Sequence, residues 1–576
     1  MANKKKKRQS TSDLPSFEIL INGNDVSSDY QILALNCQKN INKIPSATVE
    51  LIDNQAFEVS NSSDFIPGNV IEIKLGYRND NSTIFKGLVI KQSLKTTKKN
   101  SILIIHAQDE SVKLSVGRKN KYFYNLSDAG IFEEIMEQYP IPSTIASSDN
   151  IHQQMVQYYC TDWDFIVNRA ECIGHLVIPN DGEITIGQPN LEQEPALSLT
   201  YGENIIDFNF EINAQQQFQA IESSTWDAHE QTVVSVDNEE QTNTEIGNLS
   251  SNSLSEVIGL EKLKHQHGGY LNSNELLSWS NAKMLRYQLS KVIGSLSTYG
   301  TPLSPGQILN IDGFGDRFNG NVYISGVNHT VKKGNWITDI NIGLNSEFIT
   351  SYKKDIQDDA SAGLLPPISG LHIGKVSAID NDPSNNYRIK IRLPMISNED
   401  NGTWARLATL DAGNNRGSFF LPEIDDEVIV GFLNEDPRSP IIVGMVNSAA
   451  KPAPFQAEEN NNVKGFLTRE QLKLVFNDES KSILLESPNG NKISISEEEK
   501  GIQIEDEHGN YIQLNDKGIS VFSSSDIDLN ANGDINLNGT NIKLNAAANL
   551  NVEGAAAAEI SSSGTTVVKG SLVQIN

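Results

Sequence analysis

The sequence predicts a mainly β protein of three or four domains that ends in a β-helix shared by three chains. Three observations carry this. Nine pairs of apolar residues recur at i, i+2 between Ile483 and Val552, short strands follow at even spacing between Leu371 and Val446, and 576 residues are too many for one core.

Charge excludes one class of partner. The formal net charge is −27 and the pI near 4.8, whereas phosphate binding needs clustered Lys and Arg, so no nucleic-acid surface is expected. The basic run Lys4-Lys5-Lys6-Lys7-Arg8 precedes the first apolar segment. It is read as a solvated mobile tail over residues 1–13, against the alternative of docking on an acidic partner. No apolar h-region follows it, as a secretory signal would require, and no stretch approaches the roughly 20 apolar residues of a membrane span. Cys37, Cys160 and Cys172 form no CxxC pair and are odd in number, which fits buried, inert thiols in a reducing compartment and makes a disulfide framework or zinc site unexpected.

Residues 14–354 read as a β-rich region with a few helices. Phe17 to Ile21 and Val70 to Leu75 alternate as half-buried strands, and Ser101 to Ala107 reads as a fully buried one. Asp128 is the expected cap of a helix over Ala129 to Gln138, and Ser273 that of a longer one through Leu276, Leu277, Leu285 and Leu289. Between them, Val236 to Ser255 is rich in Asn, Glu, Ser and Thr and is expected to be a polar loop. Asp355 to Pro367 breaks the pattern, so residues 355–369 are taken as a linker.

Residues 370–447 carry short strands at Leu371 to Ala378, Tyr387 to Leu393, Thr403 to Leu410, Gly417 to Leu421, Glu427 to Leu433 and Pro440 to Val446. This spacing indicates a small closed barrel or a sandwich. Residues 448–482 form a Pro-, Glu- and Asn-rich neck.

Residues 483–576 hold the repeat. The pairs are Ile483/Leu485, Ile493/Ile495, Ile502/Ile504, Ile512/Leu514, Ile519/Val521, Ile527/Leu529, Ile535/Leu537, Ile542/Leu544 and Leu550/Val552, with first members 10, 9, 10, 7, 8, 8, 7 and 8 residues apart. Each pair points to one face of a strand, and turns such as Asn489-Gly490, Asn532-Gly533 and Asn538-Gly539 separate them. Each unit buries two large side chains, on the order of 1.5–3 kcal/mol apiece, against roughly 1–2 kcal/mol of backbone entropy per ordered residue. One chain therefore cannot hold this structure alone. A stacked single-chain solenoid would bury the stripe, but about eight residues are too few to circle a core. Three intertwined chains forming a triangular prism fit better, so a homotrimer is expected with Ile519, Val521, Ile527, Leu529, Ile535, Leu537, Ile542, Leu544, Leu550 and Val552 in its core.

Further motifs run in a recognisable order: Gly374-Lys375-Val376, Tyr387-Arg388-Ile389-Lys390-Ile391-Arg392-Leu393-Pro394, Trp404-Ala405-Arg406, Gly417, Pro422 through Phe432, and Asp436-Pro437-Arg438-Ser439-Pro440 through Gly444. Upstream stand Tyr158 to Ile166 with Arg169 and Gly174, then Pro305-Gly306, Gly320-Asn321-Val322-Tyr323, His329, Gly334 and Trp336. With them the chain resembles a VgrG-type spike, similar to the hub and spike proteins of contractile-tail phages fused into one polypeptide. The resemblance implies phage-hub-like domains with β-barrels and a few helices, an OB-fold collar and an intertwined trimeric β-helix needle. It implies a homotrimer at the tip of an inner tube, with the tube protein, baseplate components, effector cargo and, transiently, the target membrane as partners. Such a protein would be made in the bacterial cytoplasm and expelled on firing.

Two departures from relatives of this type are visible. Too few residues lie between barrel and needle for the lysozyme domain that some tail spikes carry there. The sequence ends at Asn576 with neither a toxin domain nor a pointed cap, so a separate PAAR-like tip protein is expected on Val567, Leu572, Val573, Ile575 and Asn576.

Candidate chemistry is sparse. His265-Gln266-His267 has the spacing of a metal pair without further ligands and is read as a surface turn. Gly313-Phe314-Gly315 lacks the third glycine of a dinucleotide loop and is followed by β-structure. Glu497-Glu498-Glu499 and Glu505-Asp506-Glu507 are read as solvated turn charges. No Ser-His-Asp or Cys-His arrangement emerges, so no catalytic residue, metal or cofactor is expected. The rival readings are a tail-associated cell-wall or polysaccharide hydrolase, which needs paired carboxylates in a groove, and a trimeric adhesin fibre.

Overall fold

The computed structural model describes residues 14–53, 56–98, 100–238 and 246–575. The basic run, part of the expected polar loop and Asn576 lie outside them.

In the N-terminal region, thirteen strands of the described residues join in one sheet. Pattern explains its first half: in Val70–Tyr77, Ile71, Ile73 and Leu75 are buried while the residues between them are not, so each strand lays one face on a core with Ile19, Leu35, Val49, Phe85 and Ile105. Ser101–Gln108 also alternates, correcting the expectation of a fully buried strand; Ile102 and Ile104 face away from that core. The two halves of the region meet where Ile32–Asn40 pairs antiparallel with Gly320–Lys332, setting Cys37 opposite His329. Close by, Trp336 stacks on Tyr77 at 5.5 Å and presses on Gly300, where any Cβ would fall 1.9 Å from the indole ring.

Helices Asp128–Met136, Ser273–Leu289 and Ile349–Tyr352 gather around Asp162–Cys172; the Tyr158 to Arg169 motif ends strand Ile151–Cys160 and then enters this helix. Thr161 caps it by accepting from the Asp164 amide. Its charged residues are paired, the three carboxylates being buried and Arg169 partly so: Asp162 with Lys119 at 2.6 Å, Asp164 with Lys353 at 2.6 Å, Arg169 with Asp128 at 2.8 Å and Glu171 with Arg286. Both expected helices form one residue off their expected caps. Ser127 caps Asp128–Met136, and Asn272 caps Ser273–Leu289.

The polar stretch from Val236 to Ser255 is not all loop. Strand Thr232–Asp237 reaches into it, and helix Ser251–Ile258 occupies its end, capped by Ser250 and closed by Gly259 at φ 72°. His265 and His267 lie in strand Lys262–His267 and not in a turn. Burial against Trp279 pushes His265 down to about 4. All three cysteines are free, and burial pushes the Cys37 thiol up to about 12.

Five strands, His372–Ala378, Ile389–Arg392, Thr403–Leu407, Pro440–Met445 and Glu427–Phe432, close into a barrel in that order. Val376, Ile391, Ala405, Val428 and Ile442 fill it. The expected strand at Gly417 to Leu421 is reduced to the small hairpin of Ala412–Gly413 with Arg416–Gly417. Asp382 clips the loop before the second barrel strand, taking Arg388 at 2.6 Å and the Asn386 and Arg388 amides.

Seven strands form a separate antiparallel meander: Val463–Leu467, Lys473–Asn477, Ser482–Glu486, Lys492–Ser496, Gly501–Glu505, Tyr511–Asn515 and Gly518–Phe522. The first two fall inside the expected neck. In this section each strand pairs with its own chain's neighbours, so the chain supplies one continuous face here. Residues 523–575 form no strand.

Candidate functional site: the uncovered apolar face of the C-terminal sheet

Register decides the character of this sheet. Ile483 stands opposite Ile495 and Leu485 opposite Ile493; Ile493 then faces Ile504 and Ile495 faces Ile502. The columns continue through Ile512 and Leu514 to Val521 and Ile519. All ten side chains therefore lie on one face. A sheet face lined this way belongs against a core, yet here Ile483 to Leu514 are 36–51% exposed and Ile519 reaches 72%. The opposite face carries Leu484, Ser494, Gln503, Gln513 and Ser520, all but Ser520 less exposed than the apolar residues beside them. Water meets the apolar side, the inverse of a folded monomer's preference.

The polar side shows how the register is held. Lys473, Glu486, Lys492, Glu505, Tyr511 and Phe522 stand in one cross-strand row. Lys473 meets Glu486 at 2.7 Å, Lys492 meets Glu505 at 2.9 Å, and the rings of Tyr511 and Phe522 stack at 5.3 Å. A slip of one residue would break each contact and turn the apolar columns over.

Of the expected core residues, Ile519 and Val521 lie on the last strand, in the apolar columns. Ile527, Leu529, Ile535, Leu537, Ile542, Leu544, Leu550 and Val552 lie in the strandless segment, each more than half exposed. Val567, Leu572, Val573 and Ile575 are exposed there too. Sequence reasoning missed the upper end of the face: Phe466 faces Leu474, Leu474 faces Leu485, and Phe476 faces Ile483. The signal was present, since Leu474/Phe476 is another i, i+2 pair nine residues before Ile483.

Asp128 takes both Arg169 and His152, an arrangement that ties strand to helix. Among the described residues no group of three or more His, Cys, Asp or Glu is placed to hold a metal ion, and no helix is long and apolar enough to cross a membrane.

Comparison with known proteins assigns these parts. Residues 11–333, over half of the chain, match the family model described as the Alg8 N-terminal domain. Residues 372–446 match the type VI secretion system/phage-baseplate injector OB domain, and residues 482–576 the phage baseplate V C-terminal trimerisation domain. The chain belongs to the Alg8 N-terminal domain family and is a VgrG-type spike protein. Its barrel is accordingly an OB domain, and its exposed apolar face is that of a trimerisation domain. Among curated relatives, it is 41% identical over 73 residues to the type VI secretion system spike protein VgrG1a of Pseudomonas aeruginosa, 13% of this chain and 11% of that one. It is 42% identical over 72 residues to VgrG3 of Vibrio cholerae, 12% of this chain and 7% of that one. The matches thus span about a tenth of those relatives. A solved type VI secretion component of E. coli, the c3393 protein, is similar over 74% of this VgrG-type chain and 100% of that one, at 13% identity and a TM-score of 0.40. The Francisella PdpA-VgrG complex is similar over 90% of this chain and 89% of that one, at 10% identity and a TM-score of 0.38.

Proposed function

We propose that three copies of this spike close their apolar faces on one another, forming a needle at the tip of an inner tube that is driven through a target membrane and carries a tip protein or effectors with it. One observation carries the reading: a register-locked sheet presents its apolar columns to solvent and its polar row on the other side. Such a face gains free energy only when covered, and a trimerisation domain implies cover by identical chains. Three sheets around an axis would bury the columns and pair the strandless residues 523–575 between chains, with Ile527 to Val552 inside. A prism with its backbone groups paired bears axial load, because no strand leaves without several hydrogen bonds breaking together.

On this reading the protein acts mechanically and not as a hydrolase or a passive adhesin. The inner tube, baseplate and a PAAR-like protein on Val567, Leu572, Val573 and Ile575 are its partners, and it leaves the producing cell on firing. The test replaces Ile535 and Leu537 by Asp, which would place six charges within each trimer. The full-length wild type should sediment as a trimer and the variant should not, and the variant should abolish target-cell permeabilisation by otherwise complete particles. A trimeric variant that still permeabilises would overturn the proposal.

A further inference from the structure

The apolar face does not stop where the trimerisation domain begins. Above Ser482 it continues through Phe476 and Leu474 to Phe466, two strands higher and so about 10 Å further along the needle. There it passes to the barrel: Phe420, on the loop after the small hairpin, stacks on Phe466 with ring centroids 5.5 Å apart and planes 17° from parallel. The loop is tethered a second time by Arg469, which reaches Glu423 at 3.0 Å. Phe420 is nonetheless 57% exposed and Phe466 50%. Stacking on each other does not bury them, so their outer faces await a further surface.

We infer that this loop of the OB domain is part of the interface between copies, and that a second copy of this chain covers Phe420 and Phe466. The occupant follows from continuity. A neighbouring copy that covers Leu485 and Ile493 runs alongside the sheet, and Phe466 shares their face on a rigid, fully paired ladder. That neighbour cannot cover the lower rows and end about 10 Å short without leaving an apolar ledge. The surroundings have the form of an interface rim: the charged pairs Arg469–Glu423 and Arg416–Asp411 are solvent-exposed beside the aromatic patch. The trimer contact then begins in the barrel and sets the collar and needle in one register, which separate domains joined by a neck would not do.

This inference rests on the trimer reading, and photo-cross-linking separates the two. The full-length chain is made with benzoylphenylalanine at position 504, 503, 420 or 466, irradiated, and run on denaturing gels. Position 504 should give covalent dimers and trimers, and position 503, on the polar face, monomer alone. Positions 420 and 466 should cross-link as 504 does. Cross-links at 504 with none at 420 and 466 would leave the trimer standing and overturn this inference. Absence of cross-links at 504 would overturn both.

Discussion

Lys492 holds Glu505 across neighbouring strands at 2.9 Å, and this hydrogen bond keeps the Glu505 carboxyl below the usual carboxylate range. A carboxylate with a depressed folded pKa contributes stability above its unfolded pKa, near about 4.3, and loses it as pH falls through the folded value. Thermal melting of the wild-type needle should therefore drop on acidification through that window. Glu505→Gln should melt lower at neutral pH and vary less with pH there. Equal slopes would show that the pair does not stabilise the register.

Gly300→Ala tests the packing under Trp336. A Cβ 1.9 Å from the indole cannot be accommodated without displacing a ring that also stacks on Tyr77. A loss of about 1–3 kcal/mol is expected, the range of an overpacked core. Denaturant unfolding followed by tryptophan fluorescence measures it.

Arg286→Met should cost more. Glu171 is 1% exposed on its side chain and has Arg286 as its direct ion-pair partner, with Lys283 acting from further away, while Asn42 and the Ile349 amide supply only dipoles. Removing one member of a buried pair costs about 3–5 kcal/mol. An urea midpoint within error of the wild type would contradict this account of the helix Asp162–Cys172.

His329 predicts a pH dependence in the same region. Burial pushes it down to about 4, with Thr338 at 3.0 Å from Nδ1. The unfolded chain then binds a proton near about 6.5 that the folded one refuses, so stability falls as pH drops from there towards the folded value. The full effect is about 3 kcal/mol. Urea midpoints at pH 7 and pH 5 should differ in the wild type and differ less in His329→Gln, where His265, also pushed down by burial, sustains the remainder.

Much of this architecture was legible beforehand. The i, i+2 pairs gave the strands and their common face, because alternation forces every second side chain to one side. Their spacing also carried information whose meaning emerged only with the structure. Steps of 9 or 10 residues from Ile483 to Ile512 leave five for a strand and four or five for a reversing turn, and these are the steps that fold as hairpins. One further hairpin, turning at Asp516-Lys517, takes a step of 7. Beyond Ile519 the steps stay at 7 or 8 and intrachain pairing ends. The helix Ser251–Ile258 was hidden by its composition, since Ser and Asn are as common in loops as at helix starts.

By itself the sequence determined the β character, the apolar face, the bounds of the barrel strands to within a few residues, and that one chain cannot bury what it repeats. Those properties are local, set by side-chain period and turn chemistry. The tertiary structure decided what depends on distant neighbours: that Ile32–Asn40 lies against Gly320–Lys332, that buried charges lock the helix behind the Tyr158 motif, and that Phe420 reaches Phe466. No periodicity encodes such contacts, because they pair residues whose separation along the chain bears no relation to their separation in space.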